Sequence, residues 1–209
     1  MQEQQNLLVR EMSHRVKNLL SVAGSLVTLS ARSAPTPQDM ATAVRQRLAA
    51  LTRAQELTRP GLIGTGDEAV QETTLHALIG TIFAPYVNRR SKGHKGVILI
   101  GPDVPIGADA ITNVALFVHE LATNAAKYGA LSSPGGVVHI DCSLQNDELL
   151  LTWKERGGPS LDGPPDAEGF GSMLAHRIVI DHFGGRISKD WGRDGLVVHL
   201  SLPVERMNA

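Results

Sequence analysis

With 209 residues, 42% of them apolar, the chain can bury one moderate domain and hold a smaller module beside it. A formal net charge of −1 gives no electrostatic reason to expect binding to nucleic acid or a membrane. The single cysteine, Cys142, excludes an intramolecular disulfide and any cysteine-built metal cluster, and in an alternating apolar run it reads as a core residue of a reducing compartment. No run approaches the roughly 18 apolar residues of a membrane span, and Met1-Gln2-Glu3-Gln4-Gln5 has no signal-peptide pattern, so the sequence as given reads as soluble and cytoplasmic.

Residues 3–33 contain no proline and one glycine, Gly24, while Val9, Met12, Val16, Leu19, Ala23, Leu26 and Ser30 recur in steps of three and four. That spacing predicts a long helix with a heptad seam, broadened by Leu20 and Val27. His14 is two residues from both Met12 and Val16, which places it opposite the seam, toward solvent. The run Ser33-Ala34-Pro35-Thr36-Pro37 breaks the helix. Thr36 then suits an N-cap, Pro37 a first helical position, and Asp39 puts negative charge in the first turn. A second helix is expected to about Arg59, with Met40, Val44, Leu48 and Leu51 inward and Pro60-Gly61 as its stop. The pair forms an antiparallel helical hairpin. Its seam is too long for mutual burial alone, which favours dimerisation into a four-helix bundle.

Glycine density across residues 61–67 marks a linker, dividing the chain into 1–63 and 64–209. Beyond it Leu75, Leu78, Ile79, Ile82 and Phe83 predict a short helix capped by Thr74, with Pro85 near its end. Val97–Ile100 reads as a buried strand closed by Gly101-Pro102. Residues 112–129 form the central helix: Ala115, Leu116, Val118, Leu121, Ala122, Ala125 and Ala126 give a wide apolar face, and Gly129 stops it. Glu120, Asn124 and Lys127 stand at i, i+4 and i+7, so a carboxylate, an amide and an ammonium share one stripe of that helix. Strands at 137–144 and 149–153 form a hairpin. A last helix is expected over 172–183, followed by strands at 186–191 and 196–202. The order predicts an α+β architecture with a sheet covered on one face.

Four stretches carry chemistry. His119-Glu120-Leu121-Ala122-Thr123-Asn124-Ala125-Ala126-Lys127-Tyr128 resembles the N box of the Bergerat-fold (GHKL) ATP-binding domain, and its leading histidine is similar to the HWE subfamily of sensor histidine kinases. Leu151-Thr152-Trp153-Lys154-Glu155-Arg156-Gly157-Gly158-Pro159 leaves a strand into a glycine turn and resembles that subfamily's WxE form of the first glycine box. Gly169-Phe170-Gly171-Ser172 opens a helix where glycines let the backbone approach phosphates. It stands after the N box and the WxE stretch in the family's order. A fourth stretch, Glu11-Met12-Ser13-His14-Arg15-Val16-Lys17-Asn18-Leu19-Leu20, resembles the H box.

The resemblance covers nearly the whole chain. It implies a hairpin that dimerises and carries the phosphoacceptor His14, followed by a Bergerat-type α/β sandwich that uses ATP and Mg²⁺. By the same resemblance Asn124 ligates Mg²⁺, Lys127 reaches the phosphates, Glu120 lies near the γ-phosphate and Glu155 accepts from the adenine amino group. His119, Tyr128, Trp153, Gly157, Gly158, Gly169, Phe170, Gly171 and Ser172 complete the implied nucleotide site. Mg²⁺ suits such a place chemically, because it takes hard oxygen ligands and leaves most of its shell to phosphates and water. The implied activity is that of a protein histidine kinase. Its partners would be a response-regulator receiver domain, a second copy of the chain and an upstream sensor domain in the full-length protein.

Two departures matter. Arg15 follows His14 where mainstream sensor kinases have an acidic residue, so Glu11, one turn back, and Glu120 are the candidate bases. The lid, residues 160–168, is short and lacks a phenylalanine box, as is typical of the HWE resemblance. The absence of a Walker-type loop disfavours a P-loop NTPase. A non-enzymatic histidine phosphotransfer protein with a degenerate nucleotide domain would lack reason to keep Asn124, Lys127 and Glu155. A GHKL serine kinase or ATPase would lack reason to keep His14 in its box.

Overall fold

The computed structural model describes residues 2–57, 73–87, 96–161, 163–164 and 169–208, with side chains from Val16 onward apart from Asn18 and Val87. The linker expected at 61–67 lies outside these residues, as do the side chains of Glu11 and His14. The chain divides into two compact units, Met1–Ala49 and Ala50–Ala209. The last turns of the second helix therefore belong to the second unit, ahead of the linker at which the sequence divides the chain.

The first unit is the helical hairpin. Helix α1 spans Gln2–Ser33 and α2 spans Pro37–Glu56, continuing into the second unit. The predicted cap is in place: the Asp39 amide donates to Thr36 Oγ1 at 3.1 Å, and the Thr36 hydroxyl donates to Asp39 Oδ2 at 2.6 Å. Leu26 and Ser30 are buried as the seam requires. Val16 of the seam is 52% exposed within one chain, and one position is corrected: Leu48, expected inward, is 39% exposed. Arg47, one residue earlier, is buried instead, because its guanidinium donates to the inward Ser30 hydroxyl at 2.9 Å. A polar seam residue on one helix has thus turned a cation of the other inward.

The second unit is a sheet with helices on one face. Helix α3 is Leu75–Val87, β1 Val97–Ile100, α4 Ala108–Lys127, β2 Val137–Gln145, β3 Glu148–Arg156, α5 Phe170–His176, β4 Arg186–Gly192, β5 Gly195–Pro203 and α6 Val204–Met207. The strand order is β1-β2-β3-β5-β4, with β1 parallel to β2 and every other pair antiparallel. The expected buried strand at Val97–Ile100 is corrected to an edge strand with half-buried residues and Ile100 54% exposed, since it has a neighbour on one side only. Thr74 caps α3 by accepting from the Ala77 amide at 3.3 Å, as its position predicts. The β2–β3 hairpin turns on Asn146 and Asp147, both at positive φ (49° and 60°), which matches the right-handed twist of the flanking strands. The last helix begins at Phe170, not at Ser172. After His176 it widens into a π-helical segment, Arg177–His182, with the Phe183 amide donating to the Ile178 carbonyl at 3.1 Å.

Alternation along the strands makes the two sheet faces unlike. Val138, Ile140, Cys142, Leu149, Leu151, Trp153, Glu155, Val198, Leu200 and Leu202 are buried on one, against the helices. The other carries polar pairs: Lys154 with Asp141 at 3.7 Å, His199 with Asp190 at 3.7 Å, and Arg186 with Glu148 at 2.6 Å. Among the described residues no helix is long and apolar enough to cross a membrane.

Cys142 sits on the packed face, as its alternating run predicts. Burial pushes its thiol up to about 11, with Asp103 and Asp141 adding to the shift. In the folded protein iodoacetamide near pH 8 should alkylate Cys142 about 100-fold or more slowly than in the urea-unfolded chain, as the depleted thiolate requires. Mass spectrometry of quenched aliquots reads the two rates.

Candidate nucleotide site

Helix α4 is buried along most of its length, including His119 at 4% and Glu120 at 7% exposure. Its polar stripe leaves the core toward the C-terminal end: Glu120 is buried, whereas Asn124, Lys127 and Tyr128 are exposed. The start of α5 comes up against this stripe. A methyl group on Gly171 would stand 3.2 Å from the Asn124 amide nitrogen and 3.7 Å from a Glu120 carboxylate oxygen. The residues quoted from the N box and from Gly169-Phe170-Gly171-Ser172 are therefore neighbours in space. Gly169 is exposed just before α5, and Phe170 is buried at 5% exposure.

Glu155 ends the buried side of β3 and is 4% exposed. Its Oε2 accepts from the Ala130 amide at 2.8 Å and its Oε1 from the Trp153 indole N–H at 3.2 Å. Burial pushes its carboxyl above the usual carboxylate range, and the bonds from Ala130 and Trp153 oppose that shift. The close approach of the helix end to this carboxylate needs a glycine at 129: a Cβ there would lie 1.8 Å from Glu155 Oε2. Gly157 follows at φ 72°, a left-handed turn that lets the chain leave the strand. Gly158 lies over Ala130, so the glycine turn and the end of α4 are packed together.

His119 lies on the α3 side of α4, away from Asn124. The Tyr86 hydroxyl is 3.4 Å from its Nδ1 and 2.9 Å from Thr123 Oγ1. Trp153, 1% exposed, packs against Phe83 of the same helix, with ring centroids 5.6 Å apart. Sequence reasoning missed Phe83 and Tyr86 as neighbours of the site, and also Lys189, whose ammonium donates to Ser172 Oγ at 3.0 Å. Their spacing on an apolar helix and a strand read only as core and surface. In the sequence Gly129 reads as a helix stop, and its second task shows only when β3 is laid beside it.

Fit to the implied cofactors is good. Among the described residues no cluster of three or more potential ligands could hold a metal alone. The exposed Asn124 side chain carries one hard amide oxygen, and its amide nitrogen is the atom nearest Gly171.

Fold and site together are similar to a histidine kinase core of the HWE type. The family model "HWE histidine kinase" matches residues 11–103. The chain is 31% identical to blue-light-activated histidine kinase 1 of Erythrobacter litoralis, over 98% of this chain and 55% of that protein. It is 32% identical to the blue-light-activated histidine kinase of Rhizobium johnstonii, over 94% of this chain and 53% of that one. Thus it spans about half the length of the curated relatives it matches. The histidine kinase domain of the E. litoralis EL346 blue-light-activated kinase shares the fold, with a TM-score of 0.62 at 21% identity over 95% of this chain and 94% of that domain.

The 1.8 Å clash makes a direct prediction. Gly129→Ala should expel the Glu155 carboxylate from the Ala130 amide and lower stability by about 1–3 kcal/mol, from overpacking and a lost charged hydrogen bond. Urea denaturation at neutral pH measures the loss, and an unchanged midpoint contradicts the packing described.

Proposed function

We propose that this chain is the catalytic core of a sensor histidine kinase. ATP bound in the second unit phosphorylates His14 of the hairpin, and the phosphoryl group then passes to an aspartate of a response-regulator receiver. The observation that carries this reading is the meeting of Glu120, Asn124 and Gly171, with Lys127 one turn beyond at the open end of the stripe. Asn124 holds Mg²⁺ through its amide oxygen, Lys127 faces the phosphates, and Glu155 accepts from the adenine amino group. When bound, Mg²⁺ offsets phosphate charge. The imidazole of His14, in its neutral form, uses a ring-nitrogen lone pair to form the P–N bond as the bond between the γ-phosphorus and the bridging oxygen breaks. ADP leaves, and the remaining ring proton goes to Glu120 or Glu11. In the second transfer a carboxylate oxygen of the receiver bonds to the phosphorus as the P–N bond breaks, and the electron pair left on the ring nitrogen takes back a proton.

Supporting a homodimer, the first unit exposes apolar side chains along α1: Val16 at 52%, Leu20 at 67% and Val27 at 43%. Val16 lies on the seam and Leu20 and Val27 beside it, and all three suit a second hairpin. Leu20→Glu should convert a dimer to monomer in light scattering, and a parent that is monomeric at high concentration contradicts the dimer.

With γ-labelled ATP the parent chain should acquire acid-labile, base-stable label that moves to a receiver aspartate. His14→Ala should abolish the label and leave ATP affinity unchanged, whereas Asn124→Ala should abolish Mg-ATP binding in calorimetry. A relay protein takes no label from ATP in the first place, and a serine kinase still phosphorylates its partner after loss of His14. Label persisting on His14→Ala refutes the assignment of the acceptor.

A further inference from the structure

A carboxylate that is to meet the edge of a base must be aimed and must stay ionised, and burial works against the second requirement. Trp153 and Glu155 are two residues apart in β3, so strand periodicity turns both to the packed face. We propose that Trp153 is a positioning residue for adenine recognition: its indole N–H holds Glu155 Oε1 while the Ala130 amide holds Oε2, leaving one lone pair on each oxygen aimed at the nucleotide. Phe83, against the indole at 5.6 Å, and Tyr86, edge-on to Phe83 at 6.2 Å, fix the ring from α3. This rests on reading Glu155 as the acceptor for the adenine amino group.

The geometry explains the spacing of the pair. Indole is a donor only, and a fully buried one needs an acceptor within reach. Glu155 supplies that acceptor, and the donor in return helps keep the carboxylate ionised. Among the described residues, backbone comes up to Glu155 at Gly129 and Ala130 after α4 and at Gly195 at the start of β5. Val138, its partner across β2, is apolar. The charged neighbours in β3 are engaged elsewhere, Lys154 with Asp141 and Arg156 with Asp194. Burial against two hydrogen bonds is thus the electrostatic balance described for this group. Because the carboxyl is raised, affinity resting on its ionised form is present above the folded pKa and is lost as pH falls through it. Removing the indole donor raises that pKa further, so the loss should begin at higher pH.

The test compares ATP with inosine triphosphate, which lacks the amino group, by calorimetry from pH 5.5 to 8 on the full chain. The variants are Trp153→Phe, Glu155→Gln, and a protein with benzothienylalanine at position 153, whose sulfur replaces the indole N–H in a ring of similar size. Both Trp153 variants should lose about tenfold in preference for ATP at pH 7, the weight of one hydrogen bond to a charged group. Their acid loss of ATP affinity should shift to higher pH, and Glu155→Gln should remove the pH dependence. The benzothienylalanine protein keeps the packing, so a purely structural role for Trp153 predicts no change in it. If that protein keeps the parent's preference and pH profile while the parent discriminates, the positioning role is overturned. A parent that binds both nucleotides alike overturns the assignment of Glu155 itself.

Discussion

The second unit depends on one buried carboxylate being held from two directions. Glu155 joins the end of β3 to the turn after α4 through the Ala130 amide, and to the α3 side of the core through the Trp153 indole. Removing one partner from such a group leaves a charge without compensation in a poorly solvating interior, which costs far more than the bond contributes net. The constraint propagates outward. It requires a glycine at 129, brings the turn at Gly157 and Gly158 against Ala130, and thereby sets where β3 ends relative to α4. The site is assembled by that contact as much as by the sheet.

Helix α4 answers two demands with one sequence. Alanines and branched residues on three sides let it pack against α3 and α5, and a single stripe is left for polar work. Charge along the stripe follows depth: Glu120 is buried, and the amide and the ammonium stand at the open end. A stripe that runs from core to solvent on a rigid helix positions its members better than a loop could.

Much of this was legible in the sequence because it is local. Thr36 and Thr74 cap as their positions predict, Asn146-Asp147 makes the turn, and period-two alternation locates Cys142 on the packed face. What escaped is non-local. The continuous apolar run Val97–Ile100 cannot say whether a strand has one neighbour or two. Leu48 and Arg47 exchange places because a serine on the other helix offers a hydrogen bond, which no hydrophobic repeat encodes. The resemblance named Glu155 for a role, but its chain partners are a main-chain amide and an indole whose donor a motif does not display. The same applies to Tyr86 beside His119.

The π-helical segment Arg177–His182 has a consequence for how this chain can vary. A helix wound with i→i+5 bonds stores about one residue more than an α-helix needs for the same stretch. Such a segment is slack in the thread: deleting one residue there lets the coil tighten to α geometry while Ile178 and Val179, or their replacements, still face inward. The end of this helix can therefore absorb a change of one in chain length without disturbing β4. Elsewhere in the second unit, where every strand residue is committed to a register, a one-residue change turns a buried face outward.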